Sequence, residues 1–141
     1  MSIYADTSFV VSLYLPDRYS SEVERRMALR PRVWLTPLHK AEWVHAIERH
    51  VFQKHLSRRE AQQIYWDFER DRAVGVWVEV GLPDMAFEVC RELARRHAAR
   101  LGNRTLDTLH VASALELKAE RFWTFDERQA KLARAAGLKT D

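Results

Sequence analysis

Short runs of apolar, β-branched and aromatic residues alternate with longer stretches of helical period along the whole chain. Ile3 to Asp6, Val33 to Thr36, Val76 to Val80 and Arg121 to Thr124 are too short for stable helices and rich in strand formers. Between them, apolar positions recur at helical spacing. Phe9 to Leu15 is a short, very apolar helix that Ser8 or Thr7 can cap and Pro16 stops. Ser21-Glu22-Val23-Glu24 reads as a capping box opening a helix to about Leu29. Thr36-Pro37 supplies an N-cap and a first-turn proline for Leu38 to Lys54, and Ser57-Arg58-Arg59-Glu60 opens a helix to about Arg72. Asp84 caps a helix from Met85 to about Ala99, and Gly102 ends it.

Thr105 to Lys118 is apolar nearly all round, as a buried helix is. Asp126 with Gln129 opens the last helix, Glu127 to Ala136, and Gly137 to Thr140 reads as a short fifth edge strand. Strands separated by helices predict βαβ units. The expected fold class is therefore α/β: one domain over residues 1–141, with a mainly parallel four- to five-stranded sheet flanked by helices.

Composition narrows the function classes only a little. The 47% apolar and 30% charged residues are a globular balance, not a disordered one. A single cysteine, Cys90, excludes an internal disulfide and any multi-cysteine metal centre, and its apolar helical neighbours make it a core filler. No run approaches the apolar length of a membrane span, and the first apolar run meets Asp6 at once, so the expected location is cytoplasmic. The excess of 23 basic over 20 acidic residues is too small to establish nucleic-acid binding.

The pointed residues are four acids. Asp6 ends a strand, Glu42 lies on the second turn of a helix that follows a strand, Asp107 is in the first turn of the most apolar helix, and Asp126 follows the fourth strand. Each has a plain structural reading: a turn residue, a solvated helix face, an acid at a helix dipole, an N-cap. Taken together, parallel strands bring them to one rim of the sheet, where ligands bind in open α/β folds. Carboxylates gathered there repel one another unless some stay protonated or a cation joins them. All-oxygen ligands suit Mg²⁺ or Mn²⁺, and such sites support phosphodiester hydrolysis by an activated water.

At these residues the sequence resembles the PIN-domain nucleases, in particular the small VapC-type toxins of toxin–antitoxin pairs. The carrying stretches are Ile3-Tyr4-Ala5-Asp6-Thr7-Ser8, Leu38-His39-Lys40-Ala41-Glu42, Leu106 to Leu115, and Trp123 to Arg128, which together run nearly the length of the chain. The resemblance implies a PIN-like domain in which Asp6, Glu42, Asp107 and Asp126 are catalytic and hold Mg²⁺ or Mn²⁺. Thr7 or Ser8, and Thr124, become supporting hydroxyls. It implies metal-dependent endoribonuclease action on RNA, a homodimer, and a cognate antitoxin that inserts into the acidic groove. Asn103 departs from the pattern, because some members place a further acid there, so one or two ions are implied. The alternatives are a non-catalytic PIN-like module that binds RNA or protein without metal, and a structure-specific DNA nuclease.

Other constellations carry less. His45, His50 and His55 are five residues apart, about 140° per step around a helix, so they share no face and read as surface or packing residues. His39 reads the same way, there being no zinc motif around it. His110, three residues beyond Asp107, is a candidate partner for the acids. No nucleophile elbow or glycine-rich phosphate loop is present. Asp6-Thr7-Ser8 lacks the second acid a phosphoaspartyl nucleophile would want. Trp43, Tyr65, Trp66 and Phe68 read as core or dimer surface. Arg91, Arg95, Arg96, Arg100 and Arg104 read either as a solvated face or as a phosphate-tracking surface.

Overall fold

The computed structural model describes residues 1–141. Five parallel strands form one sheet in the order β3-β2-β1-β4-β5. They are β1 (Ser2–Ala5), β2 (Arg32–Leu35), β3 (Trp77–Glu79), β4 (Arg121–Trp123) and β5 (Lys139–Thr140). The helices are α1 (Thr7–Tyr14), α2 (Ser20–Met27), α3 (Pro37–Phe52), α4 (Arg58–Ala73), α5 (Ala86–Leu93), α6 (Ala99–Leu101), α7 (Thr105–Glu116) and α8 (Glu127–Ala135). A single π-helical turn, Ala94–Ala98, joins α5 to α6.

The chain winds outward from β1 to β2 and β3, then crosses back to β4 and continues to β5. Right-handed crossovers therefore set the helices of the two runs on opposite faces. The alternation of side chains along β1 shows both layers. Ile3 and Ala5 join Phe9, Val10, Trp43, Ile47, Phe68 and Trp77 in one core, which packs α1 to α4. Tyr4 points the other way, into a core with Leu109, Val111, Ala112, Phe122 and Leu132, which packs α5, α7 and α8. Burial on both faces is why the strands read as continuous apolar runs.

The strand order reverses at β1. The C-terminal ends of β1 and its neighbours β2 and β4 thus open the crevice in which doubly wound folds place their ligands. No helix is long and apolar enough to cross a membrane.

Local rules hold for several elements and fail for others. Thr36 caps α3 with Pro37 in its first turn, Ser57 and Glu60 form the reciprocal box of α4, and Asp126 caps α8. The expected Ser21–Glu24 box does not form. The helix begins at Ser20 behind Tyr19 with no side-chain cap, and Glu22 is clamped by Arg25 and Arg26. The third strand is shorter than expected, and Asp84 does not cap α5, whose N-cap position is Met85. The helix expected through Ala99 runs on to Leu101 with a π turn inside it, and Gly102 ends it as expected. Most telling is α1, which starts two residues early because Asp6 itself caps it, accepting from the Phe9 amide at 3.0 Å. Thr7 and Ser8 are therefore free of capping duty.

Candidate active site

Asp6 leaves the end of β1 with its amide donating to the Trp123 carbonyl at 3.0 Å, so the two strand ends are locked side by side. Its carboxylate is nearly buried and takes three hydrogen bonds. Oδ1 accepts from the Ser8 hydroxyl at 2.8 Å and the Phe9 amide, and Oδ2 accepts from the Thr124 hydroxyl at 2.6 Å. Burial pushes the Asp6 carboxyl above the ordinary aspartate range, while Thr124, the Phe9 amide and Ser8 pull it back. The Thr124 hydroxyl also lies 3.0 Å from Gln129 Oε1 and accepts the Asp126 amide at 3.0 Å. Its one proton goes to the nearer, charged acceptor.

Glu42 projects from the second turn of α3. Its Oε1 accepts from the Thr7 hydroxyl at 2.8 Å and from His110 Nε2 at 2.5 Å. On the far side of the ring, His110 Nδ1 lies 2.7 Å from the Tyr4 hydroxyl. A carboxylate only accepts, so the proton between Glu42 and His110 sits on Nε2, and the buried phenol, whose pKa burial drives far up, stays protonated against Nδ1. Burial alone would raise the Glu42 carboxyl, but His110 and Thr7 outweigh it and hold it below the ordinary range. A polar chain thus runs from the core side of β1 through α7 to α3.

The start of α3 is placed by a second buried histidine. His39 Nε2 donates to the Ala5 carbonyl at 2.8 Å, while Nδ1 accepts the Thr36 amide at 3.0 Å. This fixes one neutral tautomer, and burial together with the neighbouring His110 pushes the ring down to about 3. His39 is fully buried, so of the surface and packing roles expected it takes the packing one, as a pin between β1 and α3. The sequence signal was its position three residues after the cap, where Glu or Gln would complete a capping box.

Asp107 and Asp126 are held more loosely. Asp126 Oδ1 accepts the Arg128 and Gln129 amides at 2.9 and 3.2 Å, which leaves Oδ2 unengaged. Asp107, half-buried on the first turn of α7, faces the same cleft as Asp126, and its backbone carbonyl accepts from Gln129 Nε2 at 3.3 Å. Burial raises its carboxyl, and the charges of Asp126 and Glu42 raise it further, against the pull of the Arg104 amide and His110. Asn103 turns to the Arg128 carbonyl, donating through Nδ2 at 3.3 Å.

All four acids therefore reach the same end of the sheet, in two pairs. Asp6 and Glu42 lie on either side of the β1–α1 corner, and Asp107 and Asp126 face each other between α7 and α8. No group of three or more His, Cys, Asp or Glu side chains is arranged as a ready-made metal nest. The donor chemistry is nonetheless that of a hard cation: oxygen only, with Mg²⁺ commonly taking one or two carboxylates beside substrate phosphates and waters. Burial raises Asp107 most, and the repulsion from Asp126 and Glu42 that adds to it is what such a cation would relieve.

Two clefts flank the rim. One, of about 650 Å³, is largely apolar and runs between α1 and α3 past Glu42, with Leu38, Ala41, Tyr19 and Leu106 in its walls. The other, of about 810 Å³, is charged and runs past Asp107 and Asp126. Of the remaining sequence candidates, Trp43 and Phe68 stack in the core at 4.1 Å, Tyr65 meets Trp43 edge-on, and Trp66 is exposed. Cys90 is buried in the core.

The folded chain is similar to solved structures at low sequence identity. VapC20 of Mycobacterium tuberculosis, described as a Sarcin-Ricin loop cleaving toxin, superposes with a TM-score of 0.71 at 20% identity, covering 96% of this chain and 95% of that one. FitAcB from Neisseria gonorrhoeae gives 0.73 at 14%, covering 98% and 95%. VapBC2 from Rickettsia felis, solved with a DNA fragment from its promoter, gives 0.66 at 17%, covering 100% and 98%. Among curated proteins no sequence match to this chain is found. The PIN domain model matches residues 3–135. With a match over nearly the whole length, and Asp6 at the end of β1 where that strand order opens its crevice, the chain belongs to the PIN domain family.

Proposed function

We propose that the protein is a metal-dependent endoribonuclease and the toxin of a toxin–antitoxin pair. What supports this reading is Asp6 at the end of β1 with Glu42 across the β1–α1 corner, and Asp107 and Asp126 in the adjoining cleft, in a chain of the PIN domain family. The toxin role is supported by overall likeness to VapC20 and to the VapBC2 complex. On this reading the partners are RNA, a cognate antitoxin and a second copy of the chain, and the location is the cytoplasm.

In this proposal Asp6, Asp107, Asp126 and Glu42 hold one or two Mg²⁺ or Mn²⁺ ions, which supply an activated water and neutralise charge on the phosphate. The chain's own residues set the geometry. Thr124 and Ser8 hold the Asp6 carboxylate in one orientation, and capping α1 prevents it from swinging. Thr7 and His110 hold Glu42 ionised and aim its free Oε2 outward. Asp107 and Asp126 keep lone pairs unengaged toward the cleft. Orientation of ligands by such supporting bonds is commonly worth about 10- to 100-fold in metal affinity or activity.

The test is cleavage of single-stranded RNA, tRNA and flap DNA by purified protein in Mg²⁺ or Mn²⁺. RNA cleavage that EDTA abolishes and Asp107→Asn abolishes is expected. RNA binding that is indifferent to EDTA, with no cleavage of any substrate, would replace the nuclease by a binding module. Preferential cleavage of flap DNA would make it a DNA nuclease. Growth arrest on expression, relieved by a small neighbouring gene product, tests the toxin role.

A further inference from the structure

Arg100, Arg104, Arg128 and Lys131 line the charged cleft together with Asp107 and Asp126. Nearby on the same helical segment, Arg91 is paired with Glu88 and Arg96 with Glu92, but no ion pair engages any of the four. Arg100 makes only a hydrogen bond to His97, at 3.0 Å. The third acid in the wall, Glu127, is taken by Arg134 at 2.9 Å. Cations and carboxylates thus share one cleft without neutralising each other. That is the arrangement expected where a polyanion approaches a cation-binding acid rim.

The backbone builds this separation. In sequence Arg96, Arg100 and Arg104 are four residues apart, a spacing that would stack all three on one face of a regular helix. The π turn Ala94–Ala98 adds a residue to one turn, and the helix ends at Gly102 in the left-handed conformation, φ 69°. Arg104 then becomes the N-cap residue of α7. As a result Arg96 lines a different cleft, beside Leu115 and Ala135, while Arg100 and Arg104 turn to the acids. Single π turns within helices concentrate at functional sites. At Gly102 the Arg128 guanidinium is the one group within contact distance of a side chain's first carbon, at 3.9 Å, so the corner sits beside that arginine.

We infer that this cleft is the phosphate track of the enzyme. Arg100, Arg104, Arg128 and Lys131 hold backbone phosphates of the RNA on the Asp107–Asp126 side of the bond to be cut. The inference rests on the nuclease reading for its substrate. Guanidinium forks bind phosphate oxygens in pairs and a lysine adds a mobile point charge. Such bonds position the strand and carry no sequence information, so removing them weakens all sequences alike.

The experiment measures anisotropy of a labelled, mixed-sequence, single-stranded oligoribonucleotide with the metal-free protein in EDTA, across a KCl series. For the double variant R104Q/R128Q the affinity falls about tenfold. The slope of log affinity against log salt becomes shallower by about 0.7 for each phosphate that is no longer neutralised. In Mn²⁺ its kcat/KM for RNA falls mainly through KM. The double variant R91Q/R96Q removes the same charge from the paired face and leaves all three readouts in place. Lys131→Gln, a single exposed change, gives a smaller shift in the same direction, should the first pair disturb the α6–α7 corner. Equal losses in both doubles would reduce the effect to net charge and overturn the track. So would an unchanged slope in R104Q/R128Q, or a wild-type protein whose RNA binding is absent or salt-independent. Wild-type binding with the expected slope but no cleavage in any metal would overturn the nuclease and leave the track standing.

Discussion

The two pairs of carboxylates at the rim differ in how firmly they are held. Asp6 takes three hydrogen bonds and Glu42 two on one oxygen, all from side chains or amides fixed by packing. Asp126 keeps one oxygen free, and Asp107 meets the charges of Asp126 and Glu42 without a side-chain donor of its own. The first pair is preorganised by donors that orient it; the second is available and electrostatically crowded. On the proposed function both qualities are needed: fixed ligands would define where a hard cation goes, and free lone pairs would meet it.

The sharpest test compares members of the two pairs. Asp107→Asn and Asp6→Asn are each expected to lower RNA cleavage by at least about 10²- to 10³-fold, the scale of removing one essential electrostatic interaction from a transition state. Near-normal turnover in either variant, measured with nuclease-free protein in Mn²⁺, would remove that residue from the site. Asp6→Asn retains the acceptor that caps α1, so its circular dichroism should match wild type.

Removing the supports should cost less. Thr124→Val removes the one donor to Asp6 Oδ2 and leaves the Asp126 amide unpaired. His110→Ala removes a donor to Glu42 and leaves Tyr4 without that partner. Each should reduce cleavage by about 10- to 100-fold. His110→Gln, which retains one donor, should recover part of the loss. A variant as inactive as Asp107→Asn would mean that its position is a direct participant.

His39 separates fold from chemistry. His39→Leu strands the Ala5 carbonyl and the Thr36 amide in the interior, at about 1–3 kcal/mol for each group. Urea unfolding should show that loss. Cleavage by the fraction still folded at low temperature should stay within a few-fold of wild type, whereas selective inactivation would bring the ring into the chemistry.

The smallest effect is on the metal-free protein. Burial first, and then the charges of Asp126 and Glu42, raise the Asp107 carboxyl above its unfolded value near 3.9. The folded state therefore holds this proton more tightly than the unfolded state. Its ionisation weakens folding as pH rises through the usual carboxyl range and above. Asp107→Asn should accordingly raise the melting temperature in EDTA at neutral pH. The gain should shrink as pH falls through the carboxyl range and vanish below about pH 3, where the wild-type carboxyl is protonated in both states. A variant less stable than wild type at neutral pH would show that the carboxylate is stabilised in place.

Much of the architecture was open to reading in the chain itself. Parallel strands buried on both faces leave short, continuous apolar runs, and α7, covered by β1, α5 and α8, is apolar all round. Cap signals marked α3, α4 and α8 because a cap is satisfied within a few residues. The signals that misled were local ones overruled by a neighbour. At Ser21–Glu24 the arginines of the next turn hold Glu22, and at Thr7–Ser8 the cap is Asp6.

The identity of the four acids, their order and their placement after strands or at helix starts follow from sequence, because element type and local position are short-range properties. Which acid is tied and which is free does not. Those bonds join residues far apart, such as Tyr4 to His110, Thr7 to Glu42 and Thr124 to Asp6, and no local pattern encodes them. The same holds for the arginines. In sequence they read either as a solvated face or as a phosphate-tracking surface, and the π turn and the left-handed Gly102 divide them, leaving Arg96 with Glu92 and turning Arg100 and Arg104 toward the carboxylates. Periodicity decides which face of an element is apolar; the backbone path between elements decides which charges meet.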